Sequence, residues 1–267
     1  MDGITSDAGR LIPVSPRYYR WHVDPGVEWV ERNTGYATAD WQVPVQQAAV
    51  VLVDVWDRHY LKDTQARAET IIREKIAPLL DVCREAGLQL IHAPSPPQAT
   101  PHDKWLNLLQ GEGPAPVEHD PDWPPAEFRA TSGPYARYAR PFEPRDEERN
   151  AHVSRRTIHP LAEPQGDDVV IATGEELHLY CKQRGILFLF YLGFNTNACI
   201  LLRDYGTIRM AQRGYCVVLL RDCGTGMESF ETQADLSQTN GAVLFLEMFG
   251  KYSLTSDQLI AGLRAGA

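Results

Sequence analysis

An α/β fold, a three-layer α/β/α sandwich around a mainly parallel sheet of about six strands, is predicted by three observations. Runs at residues 48–55, 186–192 and 215–220 are apolar without alternation, as strands covered on both faces are. Segments next to them carry apolar residues at helical spacing and stop at glycine, as 63–86 does before Gly87 and 199–213 does before Gly214. Strand and helix then alternate along the chain, which is the order of right-handed crossover winding.

Residues 1–46 hold Tyr18, Tyr19, Trp21, Trp29, Tyr36 and Trp41 among polar residues with no clear period. They read as an N-terminal arm, packed on the body or on a second subunit, and residues 47–267 as the main domain. Its first strand, A-A-V-V-L-V-D-V at 48–55, delivers Asp54 and then Trp56 to its carboxyl end. Open parallel sheets bind ligands at that edge, so Asp54 is a candidate for catalysis, with helix capping or a turn as the other role. Residues 63–86 form an amphipathic helix with Ile71, Ile72, Ile76, Leu79, Leu80 and Val82 inward. A second strand at 88–92 brings His92 to the same edge as Asp54.

From 95 to about 165 prolines recur and rule out long regular elements over most of the stretch. Such a length inside a compact domain marks a functional or mobile insertion. A short helix is expected at 102–109, and the mixed charges of 143–149 read as a solvated face. Regular structure resumes with a strand at 168–171 and a helix at 174–184, followed by the strand at 186–192. A helical segment from Cys199 carries Leu202, Ile208 and Met210 among Arg203, Asp204, Arg209 and Arg213. After the strand at 215–220 come a strand-end loop at 222–226, a helix at 231–249, a short edge strand at 252–255 and a closing helix.

A chain of 267 residues with 43% hydrophobic content buries a sizeable core. Its formal charge of −9 argues against nucleic acid or an anionic membrane as the main partner. No apolar run approaches the roughly 20 residues that span a bilayer. Residues 1–7 lack a basic region followed by an apolar one, so no secretory signal is expected. Five cysteines without a C-x-x-C pair favour free thiols in a reducing compartment, the cytoplasm, over a disulfide framework or a zinc site.

The chemistry concentrates at G-F-N-T-N-A-C, residues 193–199, between a strand and a helix. Cys199 would sit in the first helical turn, where the helix N-terminus favours the thiolate. A carboxylate from a neighbouring strand end, Asp54, would take the thiol proton, and amides of the 193–199 turn would face the developing oxyanion. Cys83, Cys181 and Cys216 lie inside elements and read as small inert hydrophobes.

This string resembles the G-x-x-T-x-x-C segment of the isochorismatase-like cysteine hydrolases, the superfamily that includes nicotinamidases and N-carbamoylsarcosine amidases. The likeness extends to A-V-V-L-V-D before it and G-Y-C-V-V-L-L-R-D after it, over about 47–226 with a divergent middle. The resemblance implies Cys199 as nucleophile, Asp54 as base, an oxyanion hole from the amides of Asn195 and Cys199, and a cis peptide between Phe194 and Asn195. It implies attack on a small amide, ureide or carbamoyl compound, loss of amine or ammonia, hydrolysis of a thioester, and assembly as a homo-oligomer, a dimer or tetramer. Trp56, His59, His92 and Thr196 are expected to line the pocket.

The family places a Lys just after the strand matching 168–171, and here the chain reads I-A-T-G-E-E. Lys104 in the insertion, and Lys62 soon after Asp54, are candidate substitutes, and neither matches a family motif. His92, His102 and Asp103 do not form the D-x-H arrangement with which nicotinamidases hold a metal, so neither metal nor other cofactor is expected. Two readings follow: a hydrolase of C–N bonds, or a degenerate scaffold that binds a metabolite or partner without hydrolysis. Vinyl-ether hydrolysis of the isochorismatase type ranks lower, because known isochorismatases lack this Cys.

Overall fold

The computed structural model describes residues 9–110 and 122–266. The readings for residues 1–8, and for the prolines at 114, 116 and 121, lie outside the described residues. The chain opens with four short strands, β1 (Leu11–Val14), β2 (Arg17–Arg20), β3 (Gly35–Thr38) and β4 (Trp41–Pro44). β5 (Ala48–Val53) leads to α1 (Lys62–Ile71) and α2 (Ala77–Glu85), which a π turn at Ile72–Ile76 joins into one long amphipathic helix. β6 (Gln89–Ala93) is followed by α3 (Pro96–Ala99), α4 (Ala126–Arg129) and α5 (Asp146–Ser154) within the insertion. Then come β7 (Val169–Val170), α6 (Gly174–Arg184), β8 (Phe188–Phe194), α7 (Cys199–Leu202) and α8 (Thr207–Gln212). β9 (Cys216–Thr225), α9 (Ser237–Met248), β10 (Tyr252–Leu254) and α10 (Ser256–Ala265) complete the fold.

The main sheet has eight strands in the order β3-β2-β10-β9-β8-β5-β6-β7. β5 to β10 pair in parallel, which accounts for the six strands read from the sequence. The arm adds β2 and β3 in antiparallel pairing, so β10 is an internal strand and not the expected edge. What docks the arm is not local: Arg17 Nε donates to Glu247 Oε1 at 2.8 Å, and Ser253 Oγ donates to the same buried carboxylate. A buried charge needs such partners, and sequence periodicity carries no sign of them. β1 and β4 pair in a separate two-stranded sheet.

Both faces of the parallel core are covered, which is why its strands do not alternate in polarity. On one face Val50, Leu52 and Phe190 pack against Ile72, Ile76, Leu79 and Leu80 of the long helix and Leu259 and Leu263 of α10. On the other, Ala49, Val51, Val53 and Leu189 meet Leu177 of α6, Met210 of α8 and Leu246 of α9. The result is a three-layer sandwich whose β5, β6, β8 and β9 share a carboxyl edge.

Three expected helices end up different. Residues 102–109 form turns, because Leu106 N donates to Val170 O and Val170 N to Lys104 O, drawing the backbone alongside β7. Trp105 Nε1 fixes the stretch by donating to the buried Glu176 carboxylate at 3.0 Å. The segment after Cys199 breaks into α7 and α8, with Arg203 extended at ψ 156° between them. α9 begins at Ser237 and not near 231, since the Glu228 carboxylate accepts the amides of Gln238 and Thr239 and caps the helix there. The charged run at 143–149 contributes the first turns of α5 and is largely exposed, as a solvated face should be. No helix among the described residues is long and apolar enough to cross a membrane.

Candidate active site

The site forms where β5, β6 and β8 end together. Asp54 leaves β5 with φ 48°, in the left-handed region that Asp tolerates better than most residues, and its amide donates to Ala93 O. This turn aims the carboxylate across the sheet edge. Oδ1 accepts from Ser95 N at 2.6 Å and from Ser95 Oγ at 2.7 Å. Oδ2 is buried without a hydrogen-bond partner, 3.6 Å from Arg203 Nη2. Arg203 Nη2 in turn donates to Ser95 Oγ at 2.6 Å, so guanidinium, hydroxyl and carboxylate form one chain of contacts.

The turn from β8 to α7 requires Gly193. Its φ is 116°, and a Cβ there would lie 1.9 Å from Val53 O. The Phe194–Asn195 peptide that follows is cis. Thr196 N donates to Thr225 O, and Ala198 N and Ile200 N donate to Asn195 O. Among the described residues, no backbone carbonyl takes the amides of Asn195 and Cys199.

Cys199 is half-buried and faces Asp54. Burial, and then the adjacent carboxylate, push its thiol up to about 11, while the Arg203 guanidinium and the Asn195 N–H pull the other way. The expectation of a thiolate favoured by a helix N-terminus is therefore corrected. α7 is only four residues long, too short for a substantial dipole, and desolvation beside a carboxylate wins. Cys199 thus rests as a thiol beside Asp54.

Of six buried side-chain polar atoms without a hydrogen-bond partner among the described residues, four belong here: Asp54 Oδ2, Asn195 Oδ1, Thr196 Oγ1 and Arg203 Nε. Buried polar groups are ordinarily satisfied, so this concentration marks a place kept for something other than packing. Beside it opens a cavity of about 830 Å³, lined by residues from 95–165 and by Arg203. A smaller recess, lined by Asp54, Trp56, Ser95 and Arg156, shares its Ser95 and Arg156 walls.

The other expected residues divide. Trp56 lines the recess, with its ring 4.9 Å from Phe194 and 5.0 Å from His59. His59 stacks on Tyr60, accepts the Leu61 amide at Nδ1, and is pushed down to about 4 by burial and by Arg156, so it is neutral at pH 7. Thr196 lies in the Cys199 turn. His92 is not brought to the cavity: its Nε2 meets Asp168 Oδ2 at 3.3 Å in a buried network with Arg84. Lys104 is also directed elsewhere, its Nζ donating to Gly166 O, and it lines neither the cavity nor the recess. Lys62 begins α1 with an exposed side chain. Ser95, Arg156 and Arg203 are the residues that sequence reasoning missed. The position of Arg203 four residues after Cys199 was the available signal, because that spacing puts two side chains on one helical face. Among the described residues, no three His, Cys, Asp or Glu side chains are grouped to hold a metal.

Fold and site together define an α/β sandwich with an acid and a thiol at the carboxyl edge of a mostly parallel sheet. A family model of the isochorismatase domain matches residues 48–247, and the chain belongs to that family. Among solved structures, the fold is similar to that of a cysteine hydrolase from Pseudomonas syringae pv. phaseolicola 1448A. The two are 17% identical with a TM-score of 0.55, over 85% of this chain and 97% of that one. A putative isochorismatase from Burkholderia xenovorans LB400 matches at 16% identity and a TM-score of 0.50, over 83% and 89% of the two chains. N-carbamoylsarcosine amidase from Thermoplasma acidophilum matches at 14% and 0.43, over 79% and 97%. No curated protein matches the chain.

Proposed function

We propose that this chain is a cysteine hydrolase that cleaves the C–N bond of a small amide, ureide or carbamoyl compound through a thioester. The observation that carries the reading is the turn that brings Cys199 to the sheet edge where Asp54 and Arg203 lie 3.6 Å apart and both act on the charge of its thiol. Asp54 takes the Sγ proton as the sulfur attacks the carbonyl carbon, and the oxyanion is met by the amides of Asn195 and Cys199. Collapse breaks the C–N bond, with the proton passing from Asp54 to the leaving nitrogen. Water then gives a proton to Asp54 and its oxygen to the thioester, releasing the acid and restoring the thiol. Ser95 holds Asp54 in place through two short hydrogen bonds.

Arg203 takes the place of the family Lys in this scheme, in preference to Lys104 or Lys62. It is the cation nearest the reacting pair, and it offsets the negative charge that passes between sulfur, carboxylate and oxyanion. The reading carries with it a reducing, cytoplasmic setting, suited to five free cysteines, and a homo-oligomeric assembly that sedimentation would test. A screen of small amides, ureides and carbamoyl compounds for ammonia release is the experiment. The Cys199→Ala variant should show no turnover of any compound that the unmodified chain hydrolyses. Equal turnover by that variant would leave the non-hydrolytic scaffold as the better reading.

A further inference from the structure

The arm carries its aromatic residues in two sets. Tyr18 and Trp41 meet Tyr252, at 5.9 and 4.5 Å between ring centres, and hold the arm to the body. The second set faces solvent: Trp21, Trp29 and Tyr36 of the arm, with Phe245 and Phe249 at the end of α9, are each between 40% and 65% exposed. These five form one patch. Trp21 Nε1 donates to Met248 O at 3.0 Å, beside the Phe245 and Phe249 rings, and Trp29 Nε1 donates to Trp21 O at 2.9 Å. The Tyr19 ring links the other side, 5.4 Å from Trp21 and 5.3 Å from Tyr36. Singly exposed apolar residues are ordinary, but a contiguous aromatic patch on a folded chain marks an interaction surface. The fold leaves it open, because β3 is the last strand of the sheet and, among the described residues, no strand pairs beyond it.

Charge and area decide what covers the patch. Residues 17–38 set Arg17, Arg20 and Arg32 against Asp24, Glu28 and Glu31, so this region is formally neutral while the whole chain carries −9. Most of these charges are also paired within the chain, Arg20 with Asp24, Arg32 with Glu28 and Arg17 with Glu247. Two acidic molecules repel over most of their surface, and a neutral face is where they can meet. A basic partner would gain more from the acidic remainder of the chain. Five rings about half exposed present on the order of 500 Å². Two copies together bring about 1,000 Å², the size at which specific interfaces begin.

We propose that this face is a contact between two copies of the chain, related by a twofold axis, with one set of rings packed on the other. The proposal rests on the homo-oligomeric part of the reading above and not on its hydrolytic part. Residues 17–38 precede the matched segment 48–247, so the contact belongs to what this chain adds to the family domain.

The test is sedimentation velocity over about 1 to 100 μM chain, at about 0.15 M and about 1 M salt. A dimer that holds or strengthens at the higher salt is expected, since screening removes the repulsion between acidic molecules and leaves apolar contact intact. Trp29→Glu and Phe249→Glu should each weaken it at least about 30-fold, because a carboxylate is then buried against aromatic rings. Phe142→Glu is the control: Phe142 is exposed in the insertion, away from the five, and its replacement should leave the dimer unchanged. Circular dichroism and the rate of Cys199 alkylation by iodoacetamide should match the unmodified chain in all three variants, which separates loss of the contact from misfolding. A chain that stays monomeric throughout overturns this contact and the homo-oligomeric reading together. A dimer that survives both Trp29→Glu and Phe249→Glu keeps that reading and overturns this face. Equal loss in Phe142→Glu also overturns it, since added charge alone then dissolves the dimer. Aromatic faces enter membranes as well, so cosedimentation with phosphatidylcholine vesicles is measured alongside. A monomer that binds these vesicles, and is released by Trp29→Glu, gives the patch to a membrane and overturns the proposal.

Discussion

Replacing Arg203 by Met removes the guanidinium that lies 3.6 Å from Asp54 and acts on the charge of Cys199, while keeping much of the volume. At the observed 3.6 Å, two unit charges attract by about 5 kcal/mol at an effective dielectric constant near 20. The Arg203 side chain is 35% exposed, so solvent screening cuts this to roughly 1–2 kcal/mol. If the charge matters equally in the transition state, kcat/KM should fall about 5- to 30-fold in Arg203→Met and much less in Arg203→Lys. A second readout is independent of the substrate. Arg203 pulls the Cys199 thiol down from where burial and Asp54 would otherwise put it, so its loss should move the pH profile of Cys199 alkylation upward. An unchanged kcat/KM together with an unchanged alkylation profile would refute the assignment of Arg203 to the place of the family Lys.

Two further outcomes test the frame of the site. Gly193→Ala puts a Cβ 1.9 Å from Val53 O at φ 116°, which should cost about 3 kcal/mol or more in urea unfolding; a loss under 1 kcal/mol would show that the turn yields easily. His59 is held down to about 4 in the folded chain, against an ordinary value of 6.5, so the unfolded chain takes up the proton first. Stability should therefore drop as pH falls from about 6.5 and level off below about 4, by about 3 kcal/mol in all. His59→Gln, which keeps an acceptor for the Leu61 amide, should flatten that part of the curve relative to the unmodified chain.

The parallel core was legible because each of its causes is local. Unalternating apolar runs at β5, β8 and β9 follow from burial on both faces, and the long helix before Gly87 follows from its periodicity and its stop. The positions of Asp54 and Cys199 at one sheet edge were legible for the same reason: Asp54 ends a strand and Cys199 follows a glycine turn that tolerates no side chain at Gly193. What tertiary structure decided depends on partners distant in sequence. Glu247 and Ser253 meet Arg17 and turn an arm without evident period into two more strands of the sheet. Val170 draws residues 104–106 out of a helix, and Glu228 moves the start of α9. The charge balance of the site belongs to this second class. The sequence shows that a Lys is absent, but only the meeting of strand ends brings Arg203 and Ser95 to Asp54, and only the path of the insertion brings Arg156 beside them. Electrostatic energy depends on distance through space, and spacing along the chain does not encode it.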